Sequence, residues 1–292
     1  MKLDNILVIA DRDDPNQVAA RAALELLPAA AGRLHIVGFV YEHAAEEPGV
    51  LSATAAATLK DASLVEKQQW LQQSMAALQL GARQAQVETV WAKDIVDWTH
   101  EAVAREDIHL VAKTATRRGS LFYTPTEWHL LRRCPVPVLM ASNSQREKRR
   151  RILATVDAGS SDPIQIGLNR KVLAAAAQLG AQLEAQVHAV YVIPVSVVAK
   201  DLDLIDAKAL ERTAREKHAA PLAAMAGEFG IPARNILIKA GQPDRVIPSM
   251  AARLKVDTVV MGTVGRTGVA GKVLGNTAEQ VLQRLRTSML AL

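Results

Sequence analysis

Short apolar runs alternate along this chain with longer segments in which apolar residues recur every three or four positions. Such alternation is typical of strands and amphipathic helices, and its repetition favours βαβ units around a parallel sheet. In the first half it predicts strands near 5–10, 34–41, 86–91, 107–113 and 136–140, and helices near 15–30, 52–80, 94–105 and 124–133. In the second half it predicts strands near 151–156, 186–193, 235–239, 257–262 and 288–292, and helices near 166–183, 203–229, 243–254 and 273–286.

The same unit occurs twice, at a separation of about 150 residues, which indicates an internal repeat. Three segments recur in the same order: residues 6–11 with 152–157, 34–42 with 187–195, and 107–119 with 256–268. In the first match, each apolar run ends in an aspartate, Asp11 or Asp157. The third match aligns Lys113 with Gly262 and Thr116 with Gly265.

Two tandem domains follow from this repeat. Residues 142–150 are polar, charged and without periodicity, as a link between domains should be. We therefore predict α/β domains at 1–145 and 146–292, each with a five-stranded parallel sheet, and the total of 292 residues suits two domains. With 49% hydrophobic but only 3% aromatic residues, the cores are expected to be aliphatic, as in parallel sheets covered by helices.

The cysteine content and the first strand bear on the compartment. Cys134 is the only cysteine, which excludes an intramolecular disulfide and cysteine-rich metal frameworks and indicates a reducing environment. The apolar run at 6–10 is stopped by Asp11, too early for a signal-peptide core or a membrane span. We expect a cytoplasmic protein without membrane attachment. The chain ends inside a predicted strand, so we also expect a native tail beyond Leu292.

A glycine-rich stretch carries the clearest functional signal. Gly262, Gly265 and Gly275 lie between an apolar strand and an amphipathic helix. Glycines there let the backbone approach a ligand, and free N–H groups beside a helix N-terminus suit a phosphate. The stretch is neither a Walker A motif nor the dinucleotide Gly-x-Gly-x-x-Gly pattern. The other interpretation is a long turn that only packs over the sheet.

The glycine spacing resembles the signature of the universal stress protein family: Gly, two residues, Gly, nine residues, Gly, then Ser or Thr. Nucleotide-binding members use it to hold the phosphates and ribose of ATP. Gly262, Gly265 and Gly275 fit, whereas Asn276 stands where the hydroxyl residue belongs and Thr277 comes one position late. The resemblance covers essentially the whole chain. The segments 124–135, 241–249, 262–269 and 275–281 are particularly similar to tandem members.

The resemblance implies a strand order in which the first and fourth strands flank the ligand site. It also implies that the last strands, near 136–140 and 288–292, join the halves as a pseudo-dimer. The second domain would then hold ATP, with magnesium, and the expected binding residues are Asp157, Val192, Met261, Gly262, Gly265, Arg266, Gly275, Asn276 and Thr277. The implied function is that of a stress-response binding or regulatory protein. A weak ATPase that uses the same loop is the first alternative.

The first half lacks the glycine pattern. Lys113 and Thr116 replace two of the glycines in the third match, and residues 120–128 contain none. This domain is expected to be structural or adapted to another ligand. Its basic turn at Lys113, Arg117 and Arg118 could attract an anion, although a solvated turn accounts for it more simply.

Other features offer weaker alternatives. The net charge of +5 and the basic run at 146–151 leave nucleic-acid binding open, although no helix-turn-helix or aromatic RNA-binding motif accompanies them. The four tryptophans, all in the first half, leave open the alternative that this half binds an apolar ligand.

The acidic and histidine side chains of 94–101 fit the solvent-exposed face of a helix better than a metal site; they are Asp94, Asp97, His100 and Glu101. No catalytic triad or cysteine–histidine signature occurs, and Cys134 is expected to be a buried packing residue. Self-association beyond the pairing of the halves, as a homodimer, stays open.

Overall fold

The structure is a computed structural model that describes residues 1–11, 14, 16–28, 32–76, 78, 85–115, 125–142, 150–195, 206–263 and 276–292. The first half contains strands β1 (Asn5–Ala10), β2 (Arg33–Val40), β3 (Ala85–Trp91), β4 (Leu110–Thr114) and β5 (Val138–Ala141). Its helices are α1 (Val18–Leu26), α2 (His43–Glu46), α3 (Ala53–Ala76), α4 (Ile95–Arg105) and α5 (Pro125–Arg133).

The second half repeats this plan. Its strands are β6 (Arg151–Val156), β7 (Gln186–Pro194), β8 (Ile236–Gly241), β9 (Thr258–Met261) and β10 (Ser288–Ala291). Its helices are α6 (Pro163–Gln182), α7 (Ala207–Gly227), α8 (Pro243–Arg253) and α9 (Asn276–Arg284), with a 3-10 turn at Ala233–Asn235. The ten predicted strands are confirmed. Helix α2 and the 3-10 turn were not predicted, because elements of three or four residues are too short to show a period.

All ten strands form one sheet in the order β3-β2-β1-β4-β5-β10-β9-β6-β7-β8. Within each half the paired strands are parallel. The first strand of each half lies between the second and the fourth. The second and third strands of each half therefore lie on one side of the first strand, and the fourth and fifth strands lie on its other side. This reversal of strand order creates the switch point at which ligands bind in open α/β sheets.

Strands β5 and β10 join the two halves as an antiparallel pair, with Leu139 opposite Leu290. Both leucines are buried. Next to this joint, Arg132 of α5 donates through Nε to Oε1 of Glu279 in α9, at 2.7 Å. Each half thus covers a strand edge that would otherwise be exposed. The predicted pseudo-dimer is confirmed.

Helices cover both faces of the sheet because its strands are apolar on both sides. Ile6 and Val8 of β1 belong to the core beneath α1, α3, α6 and α7, while Leu7 and Ile9 belong to the core beneath α4, α5, α8 and α9. Strands buried on both faces read as continuous apolar runs. Within the described residues, no helix is both long and apolar enough to cross a membrane.

The pairing registers correct one of the sequence alignments. Ile6 of β1 pairs with Leu110, and its counterpart Ile152 of β6 pairs with Thr258. Leu110 therefore corresponds to Thr258, so that Lys113 corresponds to Met261 and not to Gly262. Two equivalent backbone bonds agree, from His109 N to Asn5 O and from Asp257 N to Arg151 O, each 2.9 Å. The predicted match was wrong by one residue.

The structure does not test the predicted boundary between the two domains. The boundary predicted between residues 145 and 146 falls within 143–149, outside the described residues, and stays a prediction.

Cys134 was predicted to be buried, but it is only partly buried. It packs against the core, but it also lines a cavity of about 530 Å³ where the halves meet. The segment that connects α5 to β5 borders this cavity, so that the thiol is not enclosed on that side.

Candidate functional site

A cavity of about 240 Å³ opens in the second half, where β6, β7 and β9 end and α6, α8 and α9 begin. This is the carboxyl edge of the sheet at the switch point between β6 and β9. The lining residues are Thr155, Val156, Asp157, Gln165, Leu168, Asn169, Val172, Val190, Val192, Pro194, Pro243, Ile247, Met261, Gly262, Thr263, Thr277 and Ala278.

Asp157 is fixed at the mouth of this cavity by its neighbours. Its N–H donates to Oδ1 of Asn169 at 3.0 Å, and Nδ2 of Asn169 donates back to its carbonyl at 2.8 Å. Its carboxylate Oδ1 accepts from the N–H of Gly159 at 3.1 Å. A Cβ at Gly159 would collide with the hydroxyl of Tyr191, so this position requires glycine. Burial, reinforced by the charge of Asp157, raises the pKa of Tyr191 and keeps the phenol neutral.

The inner wall of the cavity is apolar. Val190 and Val192 of β7, Ile247 of α8 and Met261 of β9 are all buried. They belong to one core cluster, which gives the wall a rigid backing. A pocket with an apolar wall and a few fixed polar groups is the usual form of a small-molecule site.

Gly262 leaves space for a neighbouring side chain. A Cβ there would lie 2.5 Å from Cδ2 of Leu168, which itself lines the cavity. The missing side chain therefore leaves room for Leu168. Gly262 thus has a packing role beside the predicted one, in which it lets the backbone approach a ligand, and the predicted role stays a prediction.

The structure brings five of the nine predicted site residues together around the cavity: Asp157, Val192, Met261, Gly262 and Thr277. Gly265, Arg266 and Gly275 lie outside the described residues. Asn276 is the first residue of α9.

Sequence reasoning missed the α6 and α8 contributions, above all Asn169. This side chain is 2% exposed on the apolar face of α6. A polar residue at a core position of an amphipathic helix is a signal that a buried hydrogen bond is made there. Pro243 and Ile247 gave no such signal, because in the sequence the apolar residues of a cavity wall cannot be distinguished from residues of the hydrophobic core.

A sequence model of the universal stress protein family matches residues 2–142 and 148–292, which is nearly the whole chain in two copies. The chain belongs to the universal stress protein family. It is similar to universal stress protein E of Escherichia coli strain K12, with 29% identity over 294 residues that cover 99% of this chain and 93% of that protein. Universal stress protein E of Salmonella typhi is 30% identical over 295 residues, with the same coverage.

Solved structures agree in fold. A functionally unknown protein from Pseudomonas aeruginosa PAO1 superimposes with a TM-score of 0.72 at 24% identity, covering 99% of this chain and 92% of that one. A universal stress protein from Archaeoglobus fulgidus gives a TM-score of 0.60 at 14% identity, covering 100% and 98%. The tandem universal stress architecture expected from the sequence is thereby confirmed.

The first universal stress domain has charged residues where the second has its cavity. Nζ of Lys113 donates to Oδ2 of Asp11 and lies 3.4 Å from Oε1 of Glu127. Lys113 is 4% exposed and Glu127 is fully buried. We call this group the Asp11–Lys113–Glu127 triad. It lies at the carboxyl ends of β1 and β4 and at the start of α5.

Each member of the triad has a counterpart that lines the cavity of the second domain. Asp11 corresponds to Asp157 through the matched first strands, and Lys113 corresponds to Met261 through the strand registers. The helices α5 and α9 have nine residues each, and each ends five residues before equivalent positions in β5 and β10. Their third residues are Glu127 and Ala278, so the triad matches Asp157, Met261 and Ala278.

The other candidate residues are engaged in ordinary contacts. Asp94 caps α4 by accepting from the N–H groups of Asp97 and Val96, which lowers its pKa, and Asp97 lies 3.1 Å from Nη2 of Arg133. In the part of the chain that the structure describes, no group of three histidine, cysteine or acidic side chains is arranged for a metal.

The basic run at 146–151 lies mostly outside the described residues, and its two described arginines contact the protein. Nη1 of Arg150 lies 3.1 Å from Glu25, and Nη1 of Arg151 donates to the carbonyl of Leu254 at 2.9 Å. The ion pair with Glu25 offsets the charge of Arg150, and the bond to Leu254 directs Arg151 toward the protein.

Proposed function

We propose that the second domain of this universal stress protein binds ATP, and that the chain is a binding or regulatory module of the stress response. The observation that carries the proposal is the cavity at the switch point, with an apolar wall on one side and the fixed carboxylate of Asp157 at its mouth. This combination matches the two ends of a nucleoside.

The apolar wall suits a flat base. Val190, Val192 and Ile247 offer a buried surface on which a purine can be removed from water. No described residue donates a hydrogen bond to Oδ2 of Asp157. A carboxylate oxygen accepts hydrogen bonds only, so it would pair with an amino group of the base or a hydroxyl of the ribose.

The phosphates would lie toward the start of α9. Thr277, the second residue of this helix, lines the cavity, so the first N–H groups of α9 lie near its rim. The N-terminus of a helix favours anions through its free N–H groups and its dipole. The glycine-rich residues 262–275 precede this helix directly in sequence.

Magnesium would enter with the nucleotide. Asp157 is the one carboxylate among the described residues that line the cavity, and it is assigned to the base or the ribose, so the ion would be held by phosphate oxygens and water. The described side chains would orient the nucleotide, and magnesium would neutralise phosphate charge.

Isothermal titration of the full chain with ATP and magnesium tests the proposal. Asp157→Asn should weaken binding by about tenfold, because hydrogen bonds to a charged group are worth about 1.5–3 kcal/mol. Asp11→Asn at the matched position of the first domain is the control and should leave the affinity unchanged. At about 100 times the dissociation constant, ATP should stabilise the domain by about 2.7 kcal/mol.

Two results would contradict the proposal. One is the absence of binding at millimolar ATP, with and without magnesium. The other is an equal loss of affinity in the Asp11 and Asp157 variants. Release of inorganic phosphate in the same samples would favour the ATPase alternative, whereas ATP recovered intact supports a binding module.

A further inference from the structure

We infer that the Asp11–Lys113–Glu127 triad takes the place of a ligand in the first domain, so that this domain is closed and the chain holds a single nucleoside site. The class of ligand rests on the function proposed above. The closure itself rests on the geometry of the first domain.

The triad fills its space with the protein's own side chains. Met261 and Ala278 line the cavity of the second domain, and their counterparts extend from equivalent backbone positions. Replacing alanine by Glu127 and methionine by Lys113 brings longer, charged side chains into the corresponding space. Their charged ends meet there, 3.4 Å apart.

The charged groups of the triad contact one another. The ammonium group of Lys113 is shared between two carboxylates, and it also donates to the carbonyl of Thr114 at 3.4 Å. An incoming ligand would have to move the ammonium group of Lys113, which is 4% exposed, away from these two carboxylates. Leaving a buried charge without its partner is strongly unfavourable. Displacement by a neutral nucleoside is therefore opposed.

The same contacts argue against an anion site at Lys113. A phosphate would need this ammonium group, but among the described residues two carboxylates contact it, so the triad carries one positive and two negative charges. Like charge would repel the anion. Lys113 is therefore assigned to closing the first domain, in place of the solvated turn that the sequence favoured, and Arg117 and Arg118 of that turn lie outside the described residues.

Reciprocal transfer of the triad tests this inference. Met261→Lys with Ala278→Glu should rebuild the triad around Asp157 and abolish adenosine binding in the second domain. Lys113→Met with Glu127→Ala should open the first domain. Equilibrium dialysis of the full chain with adenosine should give one nucleoside per wild-type chain, none for the first double variant and two for the second. Lys113→Arg keeps the cation and should still give one.

A ligand-free crystal structure of the Lys113→Met, Glu127→Ala variant separates closure from ligand identity. This variant is expected to contain a new cavity beside Asp11, with a volume comparable to the 240 Å³ of the cavity in the second domain. If wild-type protein binds neither adenosine nor ATP, the proposed function fails, and this cavity alone decides whether the triad closes the domain. A filled space without a cavity would overturn the inference. So would an open cavity in a variant that still binds one adenosine while wild-type protein binds one.

Discussion

Asn169 holds Asp157 by both of its backbone polar groups, with bonds of 3.0 Å to the N–H and 2.8 Å to the carbonyl. Strand β6 ends at Val156, so these groups have left the sheet, and the amide of Asn169 substitutes for a neighbouring strand. The direction of the Asp157 side chain therefore depends on a residue of α6. The charge at the mouth of the cavity is positioned from outside the sheet.

Asn169→Ala should weaken both folding and binding. Two partly buried backbone groups would lose their partner, at about 1–3 kcal/mol for each group left unsatisfied. Urea denaturation measures the loss of stability, and titration with ATP measures the loss of affinity. Gln178→Ala is the control, because this side chain of α6 bonds to Met1 away from the cavity, so the change should leave the affinity for ATP unaltered. Equal effects of the two variants would contradict the positioning role.

The triad should show strong coupling in a double-mutant cycle. Lys113→Met removes the buried cation that contacts both carboxylates and should cost about 3–5 kcal/mol of stability. Adding Glu127→Ala removes one of these carboxylates, so the double variant should lose less stability than the sum of the two single variants. Chemical denaturation of the four proteins gives the coupling. Simple addition of the two single costs would mean that the charges do not interact.

Gly262→Ala should reduce ATP affinity through Leu168. The new Cβ would lie 2.5 Å from Cδ2 of Leu168 and push that side chain into the cavity. Overpacking of this kind costs about 1–3 kcal/mol. Leu168→Ala in the same chain should restore part of the affinity by returning the space, which titration with ATP would measure. A lasting loss in the double variant would show that Gly262 acts on the ligand directly.

His188 should make the protein less stable in mild acid. Burial lowers the pKa of His188 below its ordinary 6.5, and the charge of Arg151 adds to this effect. The unfolded chain therefore takes up a proton more readily than the folded one, so the contribution of His188 is lost as the pH falls through about 6.5. Denaturation between about pH 7 and pH 5 should show a shallower decline for His188→Gln than for wild-type protein. Identical declines would exclude this residue as the source.

The sequence was sufficient for the plan of the fold because apolar runs and the repeated aspartates recur in a fixed order. It was misleading at Lys113, where matching identical letters put this residue opposite Gly262. Strand pairing shifts the match by one, and in a strand a shift of one residue turns a side chain to the other face. Only this correction places Lys113 in the first-domain site. The contribution of Ile247 depends on how α8 crosses the sheet, which no local pattern encodes, whereas Asn169 was signalled by a polar residue at a core position of α6.

Native mass spectrometry of the full chain with ATP tests the central claim most directly, since it counts bound nucleotides. One ATP per wild-type chain is predicted, falling to none when Met261→Lys and Ala278→Glu rebuild the triad in the second domain. Two ATP molecules per wild-type chain, or one that persists in this variant, would contradict a single site at the second-domain switch point.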